Sequence, residues 1–296
     1  MPHDSQSAWL RAMPVVFVLI WSTGFIVARY AMPYAPAMKF LALRYALSIA
    51  CFVLWIVLAR VKLPTSLVQW QHLAVTGVLV HAGYLGGVWI AVKLGMGSGL
   101  SALIVGLQPV LTAVWLASLG GKVTTRQWSG LALGFLGLLL VVSSKLGYGE
   151  ATPVNLSLAA MALLSITAGT LYQKRFVAPC DVRAANAVQL AAALLITLPL
   201  TLLEPQAMQW NTQLAAAMAW SVVGLTLGGS SLLYMLVQRG AGTSVTSLLY
   251  LVPPTTAFLA WVLFGEAITL ATVAGTLLAA VGVFCVVHVP TKAPVR

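Results

Sequence analysis

Residues 98–119 read SGLSALIVGLQPVLTAVWLASL, and residues 243–264 read TSVTSLLYLVPPTTAFLAWVLF. Neither stretch holds a charged residue. As a helix rising ~1.5 Å per residue, each reaches about 33 Å. The hydrocarbon layer of a bilayer is ~30 Å thick and takes about 20 mostly apolar residues to cross. Both stretches therefore read as transmembrane helices. Each carries a proline, Pro109 and Pro253, and twelve residues beyond it a Gly-charged pair, Gly121-Lys122 and Gly265-Glu266.

The same reading applied outward gives apolar runs at 13–31, 38–59, 70–93, 98–119, 127–144, 155–174, 184–203, 212–237, 243–264 and 269–289. Pro33, Pro36, Pro64, Pro179, Pro205 and clusters of glycine punctuate them. Of the 296 residues, 60% are hydrophobic and 7% charged, against about 25% charged in soluble domains. That composition excludes an ordinary cytosolic enzyme, a nucleic-acid binder and a disordered chain. Ten spans use roughly 200 positions, which leaves no room for a separate soluble domain. Residues 35–37 (Ala-Pro-Ala) mimic a signal-peptide cleavage site, but the run before them is too long and has a counterpart in the second half.

The net charge of +11 reads as a topology signal. With the N-terminus inside, the inner segments hold Arg11, Arg60, Lys62, Lys122, Arg126, Lys174, Arg175, Arg183, Arg239, Lys292 and Arg296, and the outer ones hold Arg29, Lys39, Lys93 and Lys145. That bias places both termini in the cytoplasm. Trp9, Trp70, Trp128 and Trp210 fall near span ends, as interfacial anchors do. Cys51, Cys180 and Cys285 are too scattered for a disulfide frame or a metal knuckle and read as inert.

The two halves repeat at an offset of about 144–145. Gly130 and Gly137 match Gly275 and Gly282, Val141-Val142 matches Val286-Val287, Gly24 matches Gly169 and Arg44 matches Gln189. Five spans per half is odd, so the second half enters the membrane upside down. The expected fold is an all-α membrane protein of ten transmembrane helices in two inverted five-helix repeats, 13–145 and 155–289, with cytoplasmic tails at 1–12 and 290–296.

Trp21-Ser22-Thr23-Gly24-Phe25, Ala42-Leu43-Arg44-Tyr45, the Gln108-Pro109 segment with Gly121, and Pro253 followed by Phe264-Gly265-Glu266 together resemble the drug/metabolite transporter superfamily, and within it the ten-span EamA family. The resemblance covers roughly 13–289. In the first half Lys122 stands where the family usually has Glu. The resemblance implies a bacterial inner-membrane exporter of small metabolites such as amino acids, purines or vitamins. It also implies a cavity lined by spans one to four and six to nine, and a periphery of spans five and ten that admits a homodimer.

No phosphate-binding loop, zinc-binding His-Glu-x-x-His or nucleophile elbow is present. The five acids, Asp4, Glu150, Asp181, Glu204 and Glu266, sit in tails, loops or span ends, so no carboxylate pair meets at the midplane. Neither a cofactor nor a metal is expected. The expected partners are a small-molecule substrate and the lipid bilayer, with no nucleic acid.

The candidate cavity residues are the polar and aromatic side chains inside spans. Arg44, about six residues inside the second span, costs ~2.5–3.5 kcal/mol there unless it snorkels or faces water. It reads either as an anion contact or outer gate, or as a structural arginine. His81 is read as a proton relay or substrate contact, or as a helix tie. Tyr84 and Trp89 share its face approximately. Trp21, Gln108, Gln189, Tyr234 and Tyr250 complete the set. Gly24, Pro109 and Pro253 are candidate hinges. The Gly pairs 83/87, 130/134 and 224/228 read as close-packing sites. The function expected is secondary transport of an amino acid or similar metabolite. The alternatives are a membrane scaffold or sensor, and an intramembrane enzyme.

Overall fold

The computed structural model describes residues 3–118, 124–146, 149–229, 232 and 251–287. Among them there is no strand. The first helices in the chain are α1 (His3–Ala31), α2 (Ala37–Leu58), α3 (Leu67–Lys93), α4 (Ser98–Gly106), α5 (Gln108–Ser118) and α6 (Thr125–Lys145). They are followed by α7 (Pro153–Phe176), α8 (Val182–Leu203), α9 (212–229), α10 (Val252–Phe264) and α11 (Leu270–Val287). Six stretches, namely α2, α3, α4 with α5, α6, α7 and α8, are long and apolar enough to cross a membrane. Shorter apolar helices run over Val15–Ala31, Val252–Phe264 and Leu270–Cys285.

Local chemistry sets the ends. Thr124 and Gln127 form a capping box at the start of α6, as do Thr152 and Asn155 at α7, where Pro153 takes the first helical position. Asp181 and Asn211 cap α8 and α9. Gly265 ends α10 with φ 65°, a left-handed backbone that glycine adopts without steric cost.

The winding departs from a regular α-helix in two ways. The run 98–119 is broken at Leu107, two residues before Pro109, because proline cannot donate to the carbonyl one turn back. Spans three and eight are wound wide, with π turns over Val78–Leu85 in α3 and Trp220–Gly229 in α9. Such turns carry i→i+5 bonding and concentrate at functional places. Two π-segment carbonyls in α3 also accept from neighbouring helices. Ser165 Oγ donates to Leu79 O at 3.0 Å and Tyr45 Oη to His81 O at 2.8 Å.

Within lipid, helices associate through van der Waals fit and small residues. The α6–α11 crossing is built that way. A Cβ on Gly137 would lie 2.4 Å from Gly275 O, and one on Gly282 would lie 2.5 Å from Gly130 O. The index rises on one helix as it falls on the other, so the pair is antiparallel. Gly83 and Gly87 bring α3 against Ser165 and Leu158 of α7. Gly224 and Gly228 are different. Their nearest neighbours are Trp220 and Val223 of their own π turn, so this pair makes room for the wide winding and not for another helix. Of the four expected anchors, Trp70, Trp128 and Trp210 are exposed. The side chain of Trp9 lies outside the described set.

Candidate functional site

A cavity of about 90 Å³ opens between α1, α2, α3, α7 and α9. By the ~10–15 Å³ that one water needs on this scale, it holds several waters or one small molecule. α1 contributes Trp21, Gly24 and Phe25; α3 contributes His81, Tyr84, Val88 and Trp89. Arg44 enters from α2, Ile166 from α7, and Leu225 and Thr226 from α9. The two π segments thus face each other across it.

Arg44 is 7% exposed, which rules out snorkelling. Its Nε and Nη2 both donate to Thr226 Oγ1, at 3.3 and 3.1 Å, and Thr226 Oγ1 donates to Ser221 O, five residues back, at 2.8 Å. A guanidinium has five N–H donors, so a single hydroxyl leaves most of the fork unengaged beside the cavity. Trp89 is stacked on Phe40 at 4.5 Å and is 1% exposed, so it serves as a packed wall. Trp21 leans on Phe17 at 5.3 Å. His81 meets Tyr45 edge-on, and the His81 carbonyl accepts from Tyr45 Oη.

Not every expected residue reaches the cavity. Gln189 is not among the residues that line the cavity, and its backbone packs on Gly77 of α3. Gln108 is turned to α7, donating to Thr170 Oγ1 at 3.0 Å. Neither proline lines it. Pro109 sits just past the break between α4 and α5, and Pro253 begins α10 and abuts Gly106 at that break. Gly24 lines the cavity from within α1, whose helix runs on through it. Tyr234 and Tyr250 lie outside the described residues. Phe25, Val88, Ile166, Leu225 and Thr226 were missed, because apolar and threonine side chains inside a span carry no sign of which face they occupy.

The sequence also gave no hint of a charged joint at one end of the bundle. Glu266, 9% exposed, accepts from Arg29 Nη1 at 2.5 Å, from the Ser98 amide at 2.9 Å and from the Gly99 amide at 3.4 Å. It thereby caps α4 and ties it to α1 and α10, as a carboxylate at a helix N-terminus does. Glu150 pairs with Lys145 at 3.1 Å close by. Two carboxylates do therefore converge, at the bundle end and not at the midplane. A Cβ on Gly97 would lie 2.6 Å from Glu150 Oε2 and 3.0 Å from Glu266 Oε2. Among the described residues no group of three metal-ligating side chains gathers.

A bundle of membrane-length helices around a central pocket is a build that transporters have. Residues 11–143 and 155–288 each match the EamA-like transporter family, and the chain belongs to that family. It is 24% identical over 191 residues to a probable amino-acid metabolite efflux pump of Salmonella typhimurium (strain LT2), covering 64% of this chain and 62% of the relative. It is 25% identical over 178 residues to the uncharacterized inner membrane transporter YedA of Escherichia coli K12, covering 60% and 57%. The chain thus spans about three fifths of the length of these curated relatives. A solved crystal structure shares the fold with a TM-score of 0.66 at 21% identity, over 93% of this chain and 95% of the other.

Proposed function

We propose that the protein is a secondary transporter that exports a small organic metabolite, an amino acid or amino-acid-like compound first, across the bacterial inner membrane by alternating access. Ten spans form two inverted repeats, 13–145 and 155–289. Both termini are cytoplasmic, and the Glu266 end faces outward. The α6–α11 crossing supports the inversion. Gly130 and Gly137 correspond to Gly275 and Gly282, yet Gly137 touches Gly275 and Gly130 touches Gly282. That exchange, in an antiparallel pair, is what a two-fold axis in the membrane plane generates. A second copy or lipid covers the exposed apolar rows of α6 and α11, such as Phe135 and Leu277.

The observation that carries the reading is the cavity itself, walled by α1, α2 and α3 of the first family segment and by α7 and α9 of the second. A site shared by two rocking halves is exposed alternately to either side. The test is uptake of labelled amino acids, nucleobases and vitamins by proteoliposomes. Saturable flux of at least one, above that of empty vesicles, is expected. Flux of none would turn the reading to the scaffold alternative. Reporter tags near residues 62 and 205 should emerge on opposite sides of the membrane, and emergence on the same side would end the inverted arrangement.

A further inference from the structure

Charge bookkeeping over the whole chain narrows what the cavity accepts. There are five carboxylates in 296 residues. Glu266 is held by Arg29 and the first amides of α4, and Glu150 by Lys145. Glu204 accepts from the Met38 and Lys39 amides at 3.1 and 3.0 Å, which caps α2. Asp181 pairs with Arg183 at 2.7 Å. Asp4 lies 17 residues before Trp21 on the continuous helix α1, about 25 Å away at 1.5 Å per residue. No Asp or Glu side chain is left to meet Arg44, since all five lie among the described residues and are accounted for. Arg44 is therefore a buried cation whose hydrogen-bond partner among the described residues is one hydroxyl, that of Thr226.

We infer that the cavity selects a net organic anion, a carboxylate on an apolar or aromatic body without a free ammonium group, and that the membrane potential drives its exit. The inference rests on the transporter reading and names the substrate class of that same site. The argument has two parts. A carboxylate seated on the open side of the Arg44 fork completes a bidentate, charge-assisted pair that the protein itself leaves unmade. Trp21, Phe25 and Tyr84 then cover its body. An α-ammonium, by contrast, would sit one carbon from that carboxylate. It would be close to the guanidinium and without an acidic acceptor, at the cost of a desolvated, unpaired charge. Within the amino-acid-like range, the deaminated or N-acylated members fit, and the zwitterions do not.

The energetic consequence concerns direction. A cell interior is negative, and 100 mV shifts the equilibrium distribution of a monovalent ion about 50-fold. A net anion thus leaves down the electrical gradient, and the exporter needs no midplane acid to couple to protons.

Three probes with one phenyl body test this: 3-phenylpropanoate, phenylalanine and phenethylamine. In the reconstituted wild type we expect 3-phenylpropanoate to bind about tenfold or more tighter than phenylalanine, whose ammonium would be desolvated and unpaired, with phenethylamine, which lacks the carboxylate, weakest. A potassium diffusion potential set by valinomycin should speed 3-phenylpropanoate flux toward the positive compartment. Arg44→Gln should abolish the preference, and Arg44→Lys, which keeps a cation, should retain part of it. The wild-type series decides even if both variants fail to fold. Equal or tighter binding of phenylalanine, or flux indifferent to the potential, overturns the inference and leaves the transporter reading standing. If none of the three binds or moves, the inference also falls. The broader metabolite panel then judges the transporter reading separately.

Discussion

At the end of the bundle that carries Glu266, segments remote in sequence are joined by charge. Glu266 reaches Arg29 across 237 positions, and Glu204 reaches the Met38 amide across 166. Lys93 Nζ donates to Met32 O at 2.6 Å, and Lys39 Nζ to Gln206 O at 2.7 Å. At the end that carries His72 the joints among the described residues are hydrogen bonds between neutral groups and contacts of cations with rings. His72 Nδ1 meets Tyr172 Oη at 2.8 Å, its ring stacks on Phe176, and Gln69 donates to Ala178 O at 2.8 Å. The ion pair there, Asp181–Arg183, spans two residues, while Arg183 also lies over the Trp55 ring at 5.3 Å and Arg126 over the Phe284 ring at 5.8 Å. Charge-assisted bonds are roughly twice as strong as neutral ones. Among the described residues the Glu266 end is thus joined by an ion pair and charged caps and the His72 end by neutral hydrogen bonds and cation–ring contacts, so in the proposed rocking motion the Glu266 side has more to break.

The sharpest way to break this contrast is Glu266→Ala. It leaves Arg29 without its counter-ion and the first amides of α4 uncapped. Arg29 is 34% exposed, so solvent recovers part of the loss, and we expect about 2 kcal/mol of destabilisation. Thermal unfolding in detergent measures it, and a loss below about 0.5 kcal/mol would show that the latch holds nothing. His72→Phe tests the other end. The ring stack survives and only the Tyr172 hydrogen bond goes, so about 1 kcal/mol is expected. A cost equal to that of Glu266→Ala would erase the asymmetry.

The smallest expected effect is at Asp181, which precedes α8. Its hydrogen bond with Arg183 holds the Asp181 carboxyl below its ordinary value of 3.8. A depressed folded-state value means that the stabilisation is present above about pH 4 and is lost as pH falls through the lower folded value. Asp181→Ala should cost about 0.5–1 kcal/mol at neutral pH, and the gap to wild type should close on acidification below pH 4. A gap that persists there would mean that the carboxylate's charge is not what caps the helix.

The span positions were legible because apolar length is itself the signal, and α2, α3, α6, α7 and α8 begin and end within a few residues of the apolar runs. In the cavity, Arg44, His81, Tyr84, Trp21 and Trp89 were legible because polar or large aromatic groups are conspicuous inside a span. Gln108 and Gln189 were equally conspicuous, and polarity does not tell which neighbour a side chain will find. Thr226 became the partner of Arg44 through a π turn that no local pattern announces. The Arg29–Glu266 joint was hidden for another reason. Each residue alone looks like an ordinary span-end charge, and their meeting depends on how α1, α4 and α10 pack.

The glycine crossing of α6 with α11 bears on how the molecule is made. Its two halves are synthesised more than a hundred residues apart, and a nascent chain emerges N-terminal end first. While the ribosome is still short of residue 275, the groove at Gly130 and Gly137 has no ridge to receive and is filled by acyl chains. Arrival of the last helix displaces those lipids, so assembly of this protein finishes with a zipping step that an early stop codon would forfeit.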